Sequence, residues 1–193
     1  NYGSHNGDSI LSSYLDIAAD YGRNVICIGT GNEGDMAHHA SGIWEEGRLQ
    51  VTELAVQTAQ TAFNVQMFMQ YEDQVVFALV HPDGQQFTVI DGQPGTQKYR
   101  LGDTQVYLYY GEPTPYSRRK ELYLAFVPDG RYVYSGIWRI VAEPRRIVTG
   151  QYDLWLPAGA EIQTVTAFLS PDPDRTFTEP SGTSRSIAVA AYD

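Results

Sequence analysis

Cysteine is almost absent from these 193 residues. There is one, Cys27, and no second thiol to pair with it, so an internal disulfide is excluded. Basic residues are also scarce: 13 Lys and Arg stand against 23 Asp and Glu, a net charge of −10. An acidic chain repels phosphate backbones and anionic lipid, so neither nucleic acid nor a membrane is expected as a partner. No apolar run approaches the roughly 18 residues of a membrane span. No basic segment followed by an apolar one opens the chain, so no signal peptide is visible. The first residue is Asn1 rather than Met, and the natural start is expected to lie upstream. Internal repeats and low-complexity tracts are missing. Cys27 lies in the apolar run Val25-Ile26-Cys27-Ile28, where a buried, inert thiol is expected.

What is present points to a packed, strand-rich protein. Hydrophobic residues make up 42% and charged residues 19%, alongside 14 Tyr, 18 Gly and 10 Pro. The first 40 residues differ from the rest. After an N-cap at Asp8 or Ser9, Ile10, Leu11, Tyr14, Leu15, Ala18 and Ala19 recur at helical spacing, and Gly22 is placed to end the helix. The short apolar run NVICIG then reads as a buried strand of a parallel sheet. Helix, turn and buried strand form half of an α/β unit.

From Gly47 to about Leu169 the period changes to two. In FNVQMFMQY, Phe63, Val65, Met67, Met69 and Tyr71 point one way, and Asn64, Gln66 and Gln70 the other. Strand-like runs follow at 75–80, 87–90, 106–110, 122–127, 136–141, 152–156 and 165–169. Turn residues separate them, as in Pro82-Asp83-Gly84, Asp91-Gly92, Pro128-Asp129-Gly130 and Pro157-Ala158-Gly159. Eight such strands predict an antiparallel β-sandwich, with a jelly roll the leading topology. The segment 111–120, GEPTPYSRRK, reads as an exposed loop. The tail returns to the first composition, with Ile187, Val189 and Ala191 alternating. The fold class is therefore mainly β, an antiparallel sandwich inserted in a partial α/β domain. Residues 1–44 form the α/β segment, 45–170 the insert and 171–193 the return strand.

The stretch VICIGTGNEGD resembles the subtilisin-like serine proteases, in which a buried strand ends in a Gly-Asn-Glu-Gly turn. The preceding helix fits the same unit. The opening NYGSHNGDS is similar to the subgroup of clostridial spore-germination proteases, with Asn6 where Asp is usual. SGIWRI, GQYDLWLP and FTEPSGTSRSIAVAAYD add further matches. That subgroup carries a jelly roll inserted after the turn. The resemblance implies that the Asn32 amide donates to the oxyanion of a peptide-bond hydrolysis. Such a donor lowers the barrier by about 3 kcal/mol. Gly31 and Gly34 are expected to supply the positive φ and close approach that the turn needs. The resemblance also implies a protein or peptide substrate for the full-length enzyme, and a bacterial, secreted or spore- or envelope-associated setting.

A subtilisin-like enzyme needs an Asp, a His and a Ser acting together. The family's Asp-Ser/Thr-Gly and His-Gly-Thr contexts are absent here, and His5 sits in a loop rather than at the matching helix start. Ser184, in Gly182-Thr183-Ser184, imitates the nucleophile. It lacks the Met-Ala-x-Pro that follows in the family, and a period-two strand follows instead of a helix. A structural strand of the family matches better. The chain is thus expected to be a fragment that carries Asn32 and none of the triad, and to be inactive alone.

Other residues have plainer readings. His38-His39 with Glu33, Asp35, Glu45 and Glu46 nearby is expected to be structural, so no metal and no cofactor is expected. Arg118-Arg119-Lys120 reads as a solvated loop. Tyr107, Tyr109, Tyr110, Tyr123, Tyr132, Tyr134, Tyr152, Trp138 and Trp155 are expected in the sandwich core or at its edge. Alternatives remain: a carbohydrate- or peptide-binding sandwich, or a pseudoprotease acting by interaction. The apolar faces of a partial α/β unit also predict self-association.

Overall fold

The structure is a computed structural model describing residues 3–190 except 23, 91 and 164. Helix α1 (Ile10–Asp20) starts at Ser9, whose hydroxyl accepts from the Ser12 N–H at 3.0 Å. It ends at Gly22, whose φ is +71°. The strands are β1 (Cys27–Gly29), β2 (His39–Ile43), β3 (Gln50–Val56), β4 (Phe63–Gln70), β5 (Gln74–Val80), β6 (Phe87–Ile90), β7 (Gly95–Leu101), β8 (Thr104–Gly111), β9 (Arg119–Pro128), β10 (Gly136–Arg146), β11 (Gln151–Trp155), β12 (Ala167–Phe168) and β13 (Ile187–Val189).

Strands β2 to β12 form two antiparallel sheets, ordered β2-β11-β4-β9-β8-β7 and β12-β3-β10-β5-β6. Without the β7–β8 hairpin and β12, the orders are β2-β11-β4-β9 and β3-β10-β5-β6. That is the strand order of a jelly roll. Strands β1 and β13 pair with each other in parallel, Cys27 opposite Ile187 and Gly29 opposite Val189. The sandwich therefore lies between two strands that are partners in space. The sheet begins earlier than residue 45, because β2 already pairs with β11. Strands β2, β3 and β7 were not expected. HASGI is short and weakly apolar, the polar residues of QVTELAV blur its alternation, and GTQKYRL buries only Leu101. The segment 111–120 is less of a loop than expected, since Arg119 and Lys120 belong to β9. Asp91 of one expected turn and Ala191 of the expected tail strand lie outside the described residues.

The inner faces follow the period-two pattern. Val65, Met67 and Met69 meet Leu122, Leu124 and Phe126 across β4–β9, and Phe77, Leu79, Leu54 and Ile140 face them. Trp138 is fully buried, edge-on to Phe126 at 5.1 Å, with its N–H donating to the Tyr134 carbonyl at 2.9 Å. Beside this core, the buried carboxylate of Asp73 accepts N–H groups from Val148 (2.7 Å), Thr149 (3.0 Å) and Gly150 (2.8 Å). It pins the β4–β5 turn to the β10–β11 turn. Asp73→Ala strands these donors and is expected to cost about 2–3 kcal/mol, read from a shifted urea midpoint.

The outer face of the six-stranded sheet departs from the expectation. Asn64 and Gln66 are buried, as are Phe68, His39, Asp153 and Trp155. Gln66, Trp155 and His39 are lateral neighbours, and so are Glu121, Phe68, Asp153 and Ser41. This face meets the His5 loop and the 172–179 segment instead of water.

The α/β pieces are covered differently. On α1 only Ser12 is buried, while Ile10, Leu11, Tyr14 and Ile17 are exposed. Polar contacts hold the helix: Ser9 and Ser12 donate to Glu179 at 2.9 and 2.8 Å, and Asp16 accepts from the Arg185 N–H at 2.8 Å. Cys27 is exposed, against the expected buried thiol. The reason is that β1 pairs only with β13 among the described strands, and Ile187 and Val189 of β13 are exposed too.

Candidate functional site

The turn after β1 is fixed on two sides. The Thr30 N–H donates to the Val189 carbonyl at 3.0 Å, and the Thr30 carbonyl accepts from the Thr178 N–H at 2.9 Å. Gly31 has φ +88°, and a Cβ there would lie 2.6 Å from Thr178 Cγ2. Both its conformation and its crowding require glycine. Gly34 does not match the expectation: its φ is not positive, and a Cβ would come no closer than 3.8 Å to Thr176. Asn32 is exposed on this turn, at the carboxyl end of a parallel strand. In open α/β sheets, ligands bind beyond those strand ends. Glu33 folds back, its Oε2 accepting from Nδ1 of the buried His38 at 2.9 Å.

His38 and His39 diverge. His39 opens β2, with Nδ1 3.1 Å from the Asp172 carbonyl and Nε2 3.3 Å from Asp153. Among the described residues, no three His, Cys, Asp or Glu side chains form a group able to hold a metal. Of their acidic neighbours, Glu45 pairs with Arg48 at 3.0 Å and Glu46 accepts from the Ile147 N–H at 3.1 Å. Asp35 is exposed.

Asp153 gathers the junction. Besides His39 it meets Arg119 at 3.2 Å and Arg175 at 3.4 Å. Burial opposes its ionisation, but the His39 hydrogen bond and the Arg175 and Arg119 guanidiniums outweigh it and hold its pKa below the usual range. Arg119, expected in a solvated loop, is mostly buried here. The Asn6 amide oxygen, turned toward it, accepts from its Nε at 2.9 Å. Asp153 escaped the sequence reading because it occupies a polar position within a strand, and Arg119 was misplaced because 111–120 read as a loop.

Ser184 precedes β13, not a helix. Its hydroxyl donates to Asp16 at 2.9 Å, and its N–H reaches the same carboxylate at 3.2 Å. His5 is engaged elsewhere: Nδ1 donates to the Phe177 carbonyl, and the ring stacks on Trp155 at 4.3 Å. Burial pushes the His5 pKa down. No described contact joins Ser184 to a histidine.

A groove of about 620 Å³ opens between the start of α1 and the sandwich, lined by Asp8, Leu11, Tyr14, Phe68, Tyr109 and Glu121, among others. Burial pushes the Glu121 pKa up, against a hydrogen bond from Gln66.

The chain is similar to a solved protease. That structure is of the Clostridium perfringens CspB protease, with a TM-score of 0.87 and 25% identity. The similarity covers 100% of this chain and 40% of that one, so the chain spans well under half the length of its structural neighbour. No family model matches the chain, and no curated protein does.

Proposed function

We propose that this chain is a segment of a subtilisin-like serine endopeptidase whose jelly roll is inserted after the oxyanion turn. The observation carrying this reading is the Asn32 turn, glycine-locked at the end of β1 and hydrogen-bonded to β13, in a chain similar over its whole length to a protease. In that enzyme a serine outside this segment attacks the scissile carbonyl, with a histidine as general base. The Asn32 amide NH2 donates to the oxygen that becomes negative. Its contribution appears in the transition state, where charge develops. The insert packs on the catalytic part through Asp153, Arg119, His39 and Arg175, and restrains it.

The segment supplies one oxyanion donor and none of the triad. The isolated chain is therefore expected to show no hydrolysis of a general peptide substrate such as casein, while the full-length protein hydrolyses it. Turnover by the isolated chain would overturn the reading.

A second reading has one observation in its favour. Tyr107 and Tyr109 are exposed on one face of β8, and the Lys98 ammonium lies 4.8 Å from the Tyr107 ring centre. Such a row suits a sugar or peptide ligand, as in a binding module. The three tryptophans are all buried, which leaves that face without the larger stacking surfaces. A glycan array with the isolated chain separates the two readings.

A further inference from the structure

Behind the Asn32 turn lies a small, partly open chamber of about 20 Å³, lined by residues that include His5, Glu33, His38, Trp155, Thr176 and Thr178. Three buried nitrogens of its lining have no protein partner: His5 Nε2, His38 Nε2 and Trp155 Nε1. His38 and Trp155 are each more than nine-tenths buried, with relative exposures of 5% and 6%. Unpaired polar atoms at such depth are costly and need a ligand.

Their hydrogen-bonding roles follow from what the other ring atoms do. The Phe177 carbonyl can only accept, so His5 Nδ1 carries the proton and Nε2 of the neutral ring is an acceptor. The Glu33 carboxylate can only accept, so Nδ1 of His38 carries a proton, and Nε2 of the neutral ring is an acceptor. Burial favours the neutral His5 ring. Trp155 Nε1 is always a donor. Two acceptors and one donor suit a water, which gives two protons and takes one. They do not suit a cation, which the indole N–H repels, or an anion, which both acceptors repel. One water needs about 10–15 Å³ and two to four partners; the chamber has the volume, and its lining residues carry three unpaired nitrogens.

We infer that this chamber binds one water bridging His5, His38 and Trp155, and that the bridge makes the sandwich a positioning element for the Asn32 turn. The inference rests on the proposed role of Asn32. The path is short. Trp155, on β11, is clamped between the His5 ring at 4.3 Å and the His39 ring at 4.9 Å. The water ties that ring to His38, His38 holds Glu33, and Glu33 is the residue after Asn32. The insert thus reaches the oxyanion donor through a rigid aromatic wall and three hydrogen bonds. His38 and Trp155 touch no substrate and act through the turn.

The test uses the full-length protein. Its crystal structure is expected to hold one water within hydrogen-bond distance of the three nitrogens; an empty chamber, or one filled by a protein atom, overturns the inference. Trp155→Phe keeps a ring between the two imidazoles and removes the donor together with part of the indole's volume. It is expected to lower kcat about five- to tenfold with KM changed less than about twofold, the scale of one neutral hydrogen bond. His38→Leu is expected to do the same or more, and His38→Gln, whose amide reaches the Nε2 position, to recover most of the loss. Unchanged kcat in Trp155→Phe, or equal shifts in kcat and KM, contradicts the proposal even if the His38 variants fail to fold. Asn32→Ala, assayed in parallel, separates the two levels. If it too leaves kcat unchanged, the oxyanion reading fails; if it lowers kcat and Trp155→Phe does not, only the positioning role fails.

Discussion

Asn32→Ala in the full-length protein is expected to lower kcat by about 100- to 1000-fold, while KM changes by less than about threefold. The split follows from the proposed oxyanion role of the amide. A donor aimed at the developing oxyanion does little for the bound ground state, so removing it raises the barrier without loosening the substrate. The turn should tolerate the change. Asn32 is exposed, and the turn is held by Thr30, Gly31 and the Glu33–His38 pair rather than by the Asn32 side chain. An unchanged urea midpoint for the variant is the accompanying expectation.

Asp153→Ala is expected to destabilise the protein by about 3–5 kcal/mol, measured by urea denaturation. The carboxylate is buried at the meeting of three segments and answers Arg119, Arg175 and His39. Removing it leaves Arg119 largely buried with one fewer counter-charge. The loss should also loosen the 172–179 segment, since Arg175 loses its ion pair with β11. Acid should act in the same direction. Asp153 and Asp172 both have pKa values held below the usual 3.8, Asp172 chiefly by the Ser41 hydroxyl. Their folded forms bind protons less readily than the unfolded chain, so their contribution is present above about pH 3.8 and is lost as pH falls through the lowered values. His5 adds an earlier step: its pKa is lowered from 6.5, so protonation begins to favour the unfolded chain below that pH. Glu121 opposes both, because burial raises its pKa from 4.5 and acid relieves the cost of its charge. Asp153→Asn should flatten the acid limb of a stability–pH curve below about pH 4; an unaltered limb would assign the acid sensitivity to other groups.

The sandwich was legible in the sequence where one face of a strand is apolar and the other polar, as in β4, β5, β8, β9 and β10. It was not legible at β7, whose side chains other than Leu101 are exposed or half-buried, or at β2, which is five residues long and holds His39 and Gly42. The junction was hidden for a deeper reason. Alternation separates apolar from polar faces, but it does not reveal whether the polar face meets water or another part of the chain. Gln66 therefore read only as facing away from the core and Arg119 as a solvated loop residue, His39 read as structural and Asp153 drew no reading, although the four lie at a buried interface. The α1 face misled in the opposite sense: its apolar spacing is real, yet Ile10, Leu11 and Tyr14 are exposed in this chain. Asn32 became visible through the Gly-Asn-Glu-Gly turn. The need for glycine at position 31 was expected from that turn; that Thr178 is the residue packed against it emerges only from the structure.

Labelling the full-length protein with a fluorophosphonate and mapping the modified residue tests the central claim most directly. The expected result is one modified serine outside these 193 residues, with Ser184 unmodified. Modification of Ser184 would contradict the placement of the nucleophile, and a folded full-length protein that takes up no label would contradict the assignment to a serine endopeptidase.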